Sequence, residues 1–283
     1  MNTVYNDNLF TDNKKNIDTA VVLITDKNYF KRAEKTIIDI RTKGKWYDTI
    51  VLITIDFELN KNVIDYYNLT AIRFPLIDKS ILLNKIKESL IPDGRDLNKT
   101  NQWEKLHVFD DYFKKWSRII YFDSGLRVLD SIEYLLELDY KGKILAPNDT
   151  GNYNNRHDKI FTHQISHHDP TLVNELIGDF GDHILESEYF LNCIWVYDTA
   201  ILDICNKEEL MNVMNKYPIC KTNEMCIMNL SFNFKYKLWK EFPIQASNKK
   251  ILFEWCELNS PTPRTWHDYC FIKYPMTIPL QFD

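Results

Sequence analysis

The chain has 283 residues, 45% of them hydrophobic and 27% charged, with only 7 Gly and 10 Pro, a composition that can bury a substantial core and excludes long disordered segments. Its net charge of -5 comes from interspersed Lys, Asp and Glu, so no basic stripe exists to neutralise a run of phosphates and nucleic acid is not an expected partner. No run approaches the roughly 18 to 20 apolar residues of a membrane span and the first residues lack the apolar centre of a signal peptide, which predicts a protein kept in a reducing cytoplasm. The six cysteines all follow residue 192 and form no CxxC pair; buried free thiols are expected, in place of disulfides or zinc ligands.

The expected elements begin with two nearly identical β-branched runs, residues 21–25 (VVLIT) and 50–54 (IVLIT). Between them Phe30, Ala33, Ile37 and Ile40 recur at helical spacing and Gly44 follows, which predicts a helix over 28–41 closed by the glycine. Uniformly apolar strands joined through a helix fit a parallel sheet covered on both faces. A third strand is expected at 71–74, a Lys-rich helix at 80–90, a turn at Pro92-Asp93-Gly94, and a helix at 104–116 leading into an apolar strand at 119–122. That strand runs into Asp123-Ser124-Gly125 as the first runs into Asp26. Ligands of open α/β sheets bind at the carboxyl ends of strands, so both aspartates are candidate site residues. Further on, the pattern gives a helix at 131–138, a strand at 143–147, a polar loop at 148–158, a strand at 190–197, helices at 200–217 and 224–233, and an aromatic, Pro-containing tail from 261. No linker separates independent domains and no long-period repeat is present.

Four stretches hold the residue types that chemistry needs. In Leu23-Ile24-Thr25-Asp26-Lys27-Asn28-Tyr29 a strand-end carboxylate can accept from a base or a sugar hydroxyl, and a tyrosine ring can stack on a flat base; Asp26 or Asn28 can equally cap the following helix. Lys105, in Lys105-Leu106-His107-Val108-Phe109, is either a solvated helical lysine or one turned towards phosphate. Asp123-Ser124-Gly125 is either a metal-binding strand end or a plain turn, because Asp and Gly both favour turns. The fourth stretch, His267-Asp268-Tyr269-Cys270-Phe271-Ile272-Lys273-Tyr274-Pro275, places a histidine and a lysine in an aromatic segment.

Together these stretches resemble glycogenin and its family-8 glycosyltransferase relatives over most of the chain. The resemblance implies an α/β fold of one glycosyltransferase-A (Rossmann-like) domain over residues 1–283, with a mostly parallel central sheet flanked by helices. A nucleotide-binding half would run from about 18 to 125, and an acceptor-side half with the His/Lys segment from about 126 to 283. It also implies transfer of a hexose or similar sugar from a nucleotide-sugar, a UDP-sugar, to a glycan or protein acceptor with retention of anomeric configuration; a homodimer is compatible with it. Thr25, Asp26 and Tyr29 match positions that hold uracil and ribose. Lys105 matches a lysine facing diphosphate and sugar. Asp123, Ser124 and Gly125 match the Asp-x-Asp segment, His267 matches the histidine that completes a Mn²⁺ or Mg²⁺ site with Asp123, and Lys273 matches the lysine on the leaving diphosphate. Glu224, in Asn223-Glu224-Met225-Cys226-Ile227-Met228-Asn229, stands where the relatives have an aspartate facing the donor sugar or the acceptor hydroxyl. Asn192 is displaced by one from their strand asparagine.

The departures from the family concentrate at the metal. Gly125 replaces the second aspartate, Cys270 replaces a glycine and Tyr274-Pro275 replaces Pro-Trp, so one oxygen ligand and one negative charge are lost. Water or the diphosphate fills the gap, the metal binds weakly, or another source of positive charge serves. A module that binds nucleotide-sugars without transferring them is the alternative outcome. His163, His167 and His168, followed by Asp169, lack the glutamate of a zinc-protease helix and are expected to be surface or structural histidines.

Overall fold

A computed structural model describes residues 18–88, 97–149, 160–255 and 266–273. Its strands are β1 (Thr19–Thr25), β2 (Ile50–Thr54), β3 (Leu69–Ile72), β4 (Arg118–Phe122), β5 (Leu126–Val128), β6 (Ile144–Ala146), β7 (Ile194–Asp198), β8 (Trp239–Glu241), β9 (Ile251–Trp255) and β10 (Tyr269–Lys273). Its α-helices are α1 (Phe30–Thr42), α2 (Lys61–Tyr67), α3 (Ser80–Glu88), α4 (Glu133–Leu136), α5 (Pro170–Phe180), α6 (Lys207–Lys216) and α7 (Glu224–Met228). Seven strands form the central, mostly parallel sheet in the order β3-β2-β1-β4-β7-β6-β8, and β5-β10-β9 form a small second sheet. This is the helix-flanked α/β architecture that the apolar strand runs predict. No helix among the described residues is long and apolar enough to cross a membrane.

The chain folds as two compact units, each built from separated stretches: residues 1–73, 120–139 and 242–283 form the first, and residues 74–119 and 140–241 the second. In the first unit β1 is buried at every position and pairs in parallel with β2, Val21 opposite Ile50 through Thr25 opposite Thr54. Each fully buried aliphatic side chain in these strands contributes about 1.5–3 kcal/mol. Helix α1 turns Ala33, Ile37 and Ile40 inward, the face its spacing predicts. Gly44 follows for lack of space and not for its φ, because a Cβ there would sit 2.6 Å from the Ile40 carbonyl oxygen. Arg41, fully buried, donates to the carbonyls of Trp46, Asp48, Tyr67 and Asn68, tying together the segments that flank β2 and β3. Burial lowers its pKa to about 10, which leaves it charged at neutral pH.

The second unit is centred on stacked and tilted aromatics, with Phe109 within 4.8–5.8 Å (ring centroids) of Trp195, Tyr197 and Phe232. The Tyr197 hydroxyl donates to the Val108 carbonyl at 2.6 Å. The buried Glu104 carboxylate accepts from Lys79, from His107 and from the Ile77 amide.

Several expected elements are corrected. The third strand is Leu69–Ile72 and not 71–74, and the helix expected at 104–116 is instead two 3₁₀ segments, Leu97–Phe109 and Asp111–Lys115. The 131–138 helix shrinks to one turn, and 200–217 divides into a 3₁₀ segment, Thr199–Asp203, and α6. The strand expected at 190–197 begins only at Ile194, past Asn192, whose side chain donates to Glu224. Past α7 the helix widens to a π form over Asn229–Lys235, where the Asn229 amide donates to the Met225 and Phe190 carbonyls in competition with the regular ladder. Strands β5, β8, β9 and β10 were not expected as strands. The turn at 92–94, the loop over 150–158, Cys256 and the tail beyond 273 lie outside the described residues. The other five cysteines are buried thiols, as expected.

Candidate functional site

The strand order reverses beside β1, which has β2 on one side and β4 on the other. Such a switch point opens a crevice at the carboxyl ends of the strands, and Asp26 and Asp123 stand at those ends. The turn after β1 is held by Asp26, whose Oδ1 accepts from the Tyr29 amide at 2.8 Å. The capping role of Asp26 is therefore present. Thr25 is buried and donates to the Asp26 carbonyl at 3.0 Å, so its hydroxyl proton serves the turn. Tyr29 is partly exposed at the start of α1, where a ring can offer a stacking face.

After β4 the chain reverses through Asp123-Ser124-Gly125-Leu126. The Leu126 amide donates to the Asp123 carbonyl at 3.0 Å and Gly125 has φ +87°, the positive φ that a type II turn requires in its third position. Three further bonds fix the turn. Ser124 Oγ donates to the Ile24 carbonyl at 2.8 Å, Gly125 N donates to Thr36 Oγ1 at 3.0 Å, and Thr36 Oγ1 donates to the Leu126 carbonyl at 2.9 Å.

The Asp123 carboxylate is gripped on both oxygens. Tyr121 donates to Oδ1 at 2.8 Å, and Lys273 Nζ lies 3.1 Å from Oδ2. Lys273 also donates to the Ser124 carbonyl at 2.9 Å. The lysine reaches the turn because β10 runs antiparallel to β5, with Lys273 opposite Leu126. Tyr121 was not singled out from the sequence, although the signal was there: residues two apart on a strand share a face.

His267 lies elsewhere. It is exposed in the 3₁₀ turn that precedes β10, while Lys273 ends that strand. Four strand steps span about 13 Å, and the Cys270 carbonyl is already opposite Leu129, accepting from its amide at 2.8 Å. The structure thus brings Asp26, Asp123, Ser124, Gly125 and Lys273 to one end of the first unit, with His267 at the other end of β10 from Lys273.

Among the described residues, the side chains at the Asp123 turn do not make up the ligand set of a divalent cation. Gly125 supplies no carboxylate, and its positive φ would strain an aspartate there. An ammonium occupies the open side of Asp123 Oδ2. Among the described residues no group of three or more His, Cys, Asp or Glu is placed to hold a metal; the His163, His167 and His168 region is included in that statement, with His167 bonded to Thr162.

The second unit holds the other singled-out residues. Lys105 Nζ lies 2.8 Å from Glu224 Oε1 and donates to the Asn192 carbonyl at 3.3 Å, while Asn192 Nδ2 donates to the same Glu224 oxygen at 2.9 Å. Residues three apart on a 3₁₀ helix lie one above the other. Gln102 therefore shares the Lys105 face and accepts from the Asn223 side chain at 2.7 Å. Asn223 has φ 53° and ψ -124°, a conformation that costs on the order of 1–3 kcal/mol and that sets Glu224 at the head of α7. Glu224 is only 2% exposed, and among the described residues its Oε2 has no partner.

No protein-family model and no curated protein sequence matches the chain. Solved structures of similar fold do. The galactosyltransferase LgtC, in complex with donor and acceptor sugar analogs, shares 11% identity with a TM-score of 0.54, over 90% of this chain and 86% of its own. Core-mannan synthase A (CmsA/Ktr4) from Aspergillus fumigatus, in an Mn/GDP form, gives 7% identity and a TM-score of 0.54, over 85% of this chain and 76% of its own. The glycosyltransferase GlyE of Streptococcus pneumoniae TIGR4 gives 14% and 0.51, over 80% of this chain and 45% of its own. The chain thus spans less than half of GlyE, and likewise 41% of the bifunctional WbbM. The shared architecture is the glycosyltransferase-A fold.

Proposed function

We propose that the chain is a glycosyltransferase of the glycogenin-like type, moving a hexose or similar sugar from a UDP-sugar to a glycan or protein acceptor with retention of configuration. The observation that carries this reading is the Asp123–Lys273 pair at the switch-point end of β4, beside the Asp26 turn, on a fold shared with sugar transferases. A nucleoside diphosphate needs positive charge and amide or ammonium donors where its bond to sugar breaks, and Lys273 offers both.

In this reading Tyr29 stacks on the base, Asp26 accepts from ribose, and Lys273 holds the diphosphate. The bond between the anomeric carbon and the β-phosphate oxygen breaks with its electron pair leaving on the diphosphate. The acceptor hydroxyl oxygen bonds the anomeric carbon, and its proton passes to the departing phosphate oxygen. The work falls on stabilising the leaving group, so no strong protein base is required. Within the second unit, taken by itself, Lys105 and Asn192 both bond Glu224 Oε1, polar chemistry of the kind that binds sugar hydroxyls.

The test is calorimetry with a panel of nucleotide-sugars alongside a product assay. Binding and turnover with a UDP-sugar support the proposal. Binding without turnover on any acceptor would favour a module that retains the donor and transfers nothing, and no affinity for any nucleotide-sugar would end both readings.

A further inference from the structure

We propose that Lys273 is the resident cation of this site, and that the chain binds a nucleoside diphosphate without a divalent metal. The inference rests on the nucleotide-sugar reading and deepens it by naming what neutralises the diphosphate. Three observations on the first unit support it independently of one another.

The first is charge. In the glycogenin-like relatives a lysine at the Lys273 position stands alongside the metal, so without the second carboxylate and the ion the Lys273 ammonium is the positive charge that the Asp123 turn retains. A divalent ion on Asp123 Oδ2 would share that oxygen with an ammonium already 3.1 Å from it, and like charges held on one oxygen repel in a partly buried site.

The second is valence. A lysine ammonium has three N–H donors. Two are used within the protein, on Asp123 Oδ2 and on the Ser124 carbonyl, and the third has no partner among the described residues. A side chain anchored by two bonds with one donor left over is preorganised for an oxygen ligand. Its rotamer freedom has already been given up in folding.

The third is the support beneath Asp123. Tyr121, fully buried, donates to the other carboxylate oxygen, and Ser124 is fastened to the β1 backbone. Asp123 is thus a positioning residue that aims Lys273.

The experiment uses the full chain, with UDP and GDP as probes, titrated calorimetrically in excess chelator and again in excess Mn²⁺. The expected result is an affinity for UDP that changes by less than about threefold between the two conditions, with Mn²⁺ alone giving no stoichiometric binding by electron paramagnetic resonance. Lys273→Met should weaken UDP on the order of tenfold to a hundredfold in both conditions, with Lys273→Arg retaining more of the affinity than Lys273→Met. Asp123→Asn, which keeps the shape and removes the charge, should weaken UDP several-fold without creating metal dependence. Tenfold or greater tightening by Mn²⁺, or one bound Mn²⁺ per chain, overturns the inference and leaves the transferase reading standing. Absence of UDP and GDP binding under every condition overturns the transferase reading, and the inference falls with it. The chelator comparison on the unaltered chain decides the matter even where a variant fails to fold.

Discussion

Lys273 Nζ and Asp123 Oδ2 lie 3.1 Å apart although 150 positions separate the residues in the chain. The contact joins the end of a strand in the central sheet to the end of one in the small sheet. It gives a sequence-distant lysine a fixed place beside the β4 turn, with side chains 12% and 23% exposed. A pair this sheltered gains Coulomb energy in the low-dielectric site but pays a desolvation cost for both charges.

Under the proposed function, Lys273→Ala should lower turnover by on the order of a hundredfold, corresponding to about 3 kcal/mol of lost transition-state stabilisation. Steady-state kinetics with the donor identified by calorimetry is the measurement. A variant that turns over at the parental rate would remove Lys273 from the mechanism.

Thr36 holds the Asp123 turn through one hydroxyl, which accepts from Gly125 and donates to Leu126 in a fully buried setting. Thr36→Val keeps the shape and strands both backbone groups, so a loss of about 1–3 kcal/mol in unfolding free energy is expected. Chemical denaturation reads it directly, and weaker donor binding should accompany it.

Arg127 and Asp39 form a buried pair, with Nε–Oδ2 at 2.5 Å and Nη2–Oδ1 at 3.3 Å. Without Arg127 the buried Asp39 is left with the partly exposed Lys43, 3.3 Å from its Oδ1, so Arg127→Met should cost about 3 kcal/mol. Replacing both with apolar residues of similar volume should cost distinctly less. A double-mutant cycle that showed simple additivity would contradict the pairing.

Burial pushes the Cys205 thiol up to about 12 and the Cys270 thiol up to about 11. At pH 8 a thiol of the latter kind is about one part in a thousand thiolate, and the thiolate is the reactive form. Both cysteines should resist Ellman's reagent in the folded protein and react promptly in denaturant; rapid native labelling at either position would disprove their burial.

Burial opposes the charge on Glu104, but hydrogen bonds from His107, Lys79 and the Ile77 amide outweigh it and hold the carboxyl below its ordinary 4.5. A depressed carboxyl stabilises the fold fully above the unfolded value and loses that contribution as pH falls through the lower folded one. The stability gap between the parent and Glu104→Gln should therefore be constant near neutrality and close as the solution is acidified below 4.5. A gap that widens in acid would reverse the assignment.

What could be read from the sequence was whatever one local pattern encodes. β1, β2, α1 and β4 are legible because their apolar residues repeat at the period of one element and end at Asp, Gly or a polar break. β5 and β8 have three residues each, too few for a period, and become strands only by pairing with distant partners. β10 reads locally as an aromatic tail, and nothing near it in sequence shows that Lys273 falls opposite Leu126. The site aspartates were recognisable from their strand ends, whereas the Lys105–Glu224–Asn192 cluster depends on a 3₁₀ helix and a strained Asn223 that propensity does not foresee. His267 and Lys273 stand at opposite ends of the extended β10 segment, a separation that residue spacing alone does not reveal.

β10 comes last among the described strands yet lies between β5 and β9 in its sheet. During synthesis, the two flanking strands must wait for it, because neither has the other as a neighbour. Asp123 likewise emerges from the ribosome well before the ammonium that will face it. The turn after β4 therefore gains its ammonium only after β10 has been made, so chains released before Lys273 would carry Asp123 with its Tyr121 bond but without the lysine.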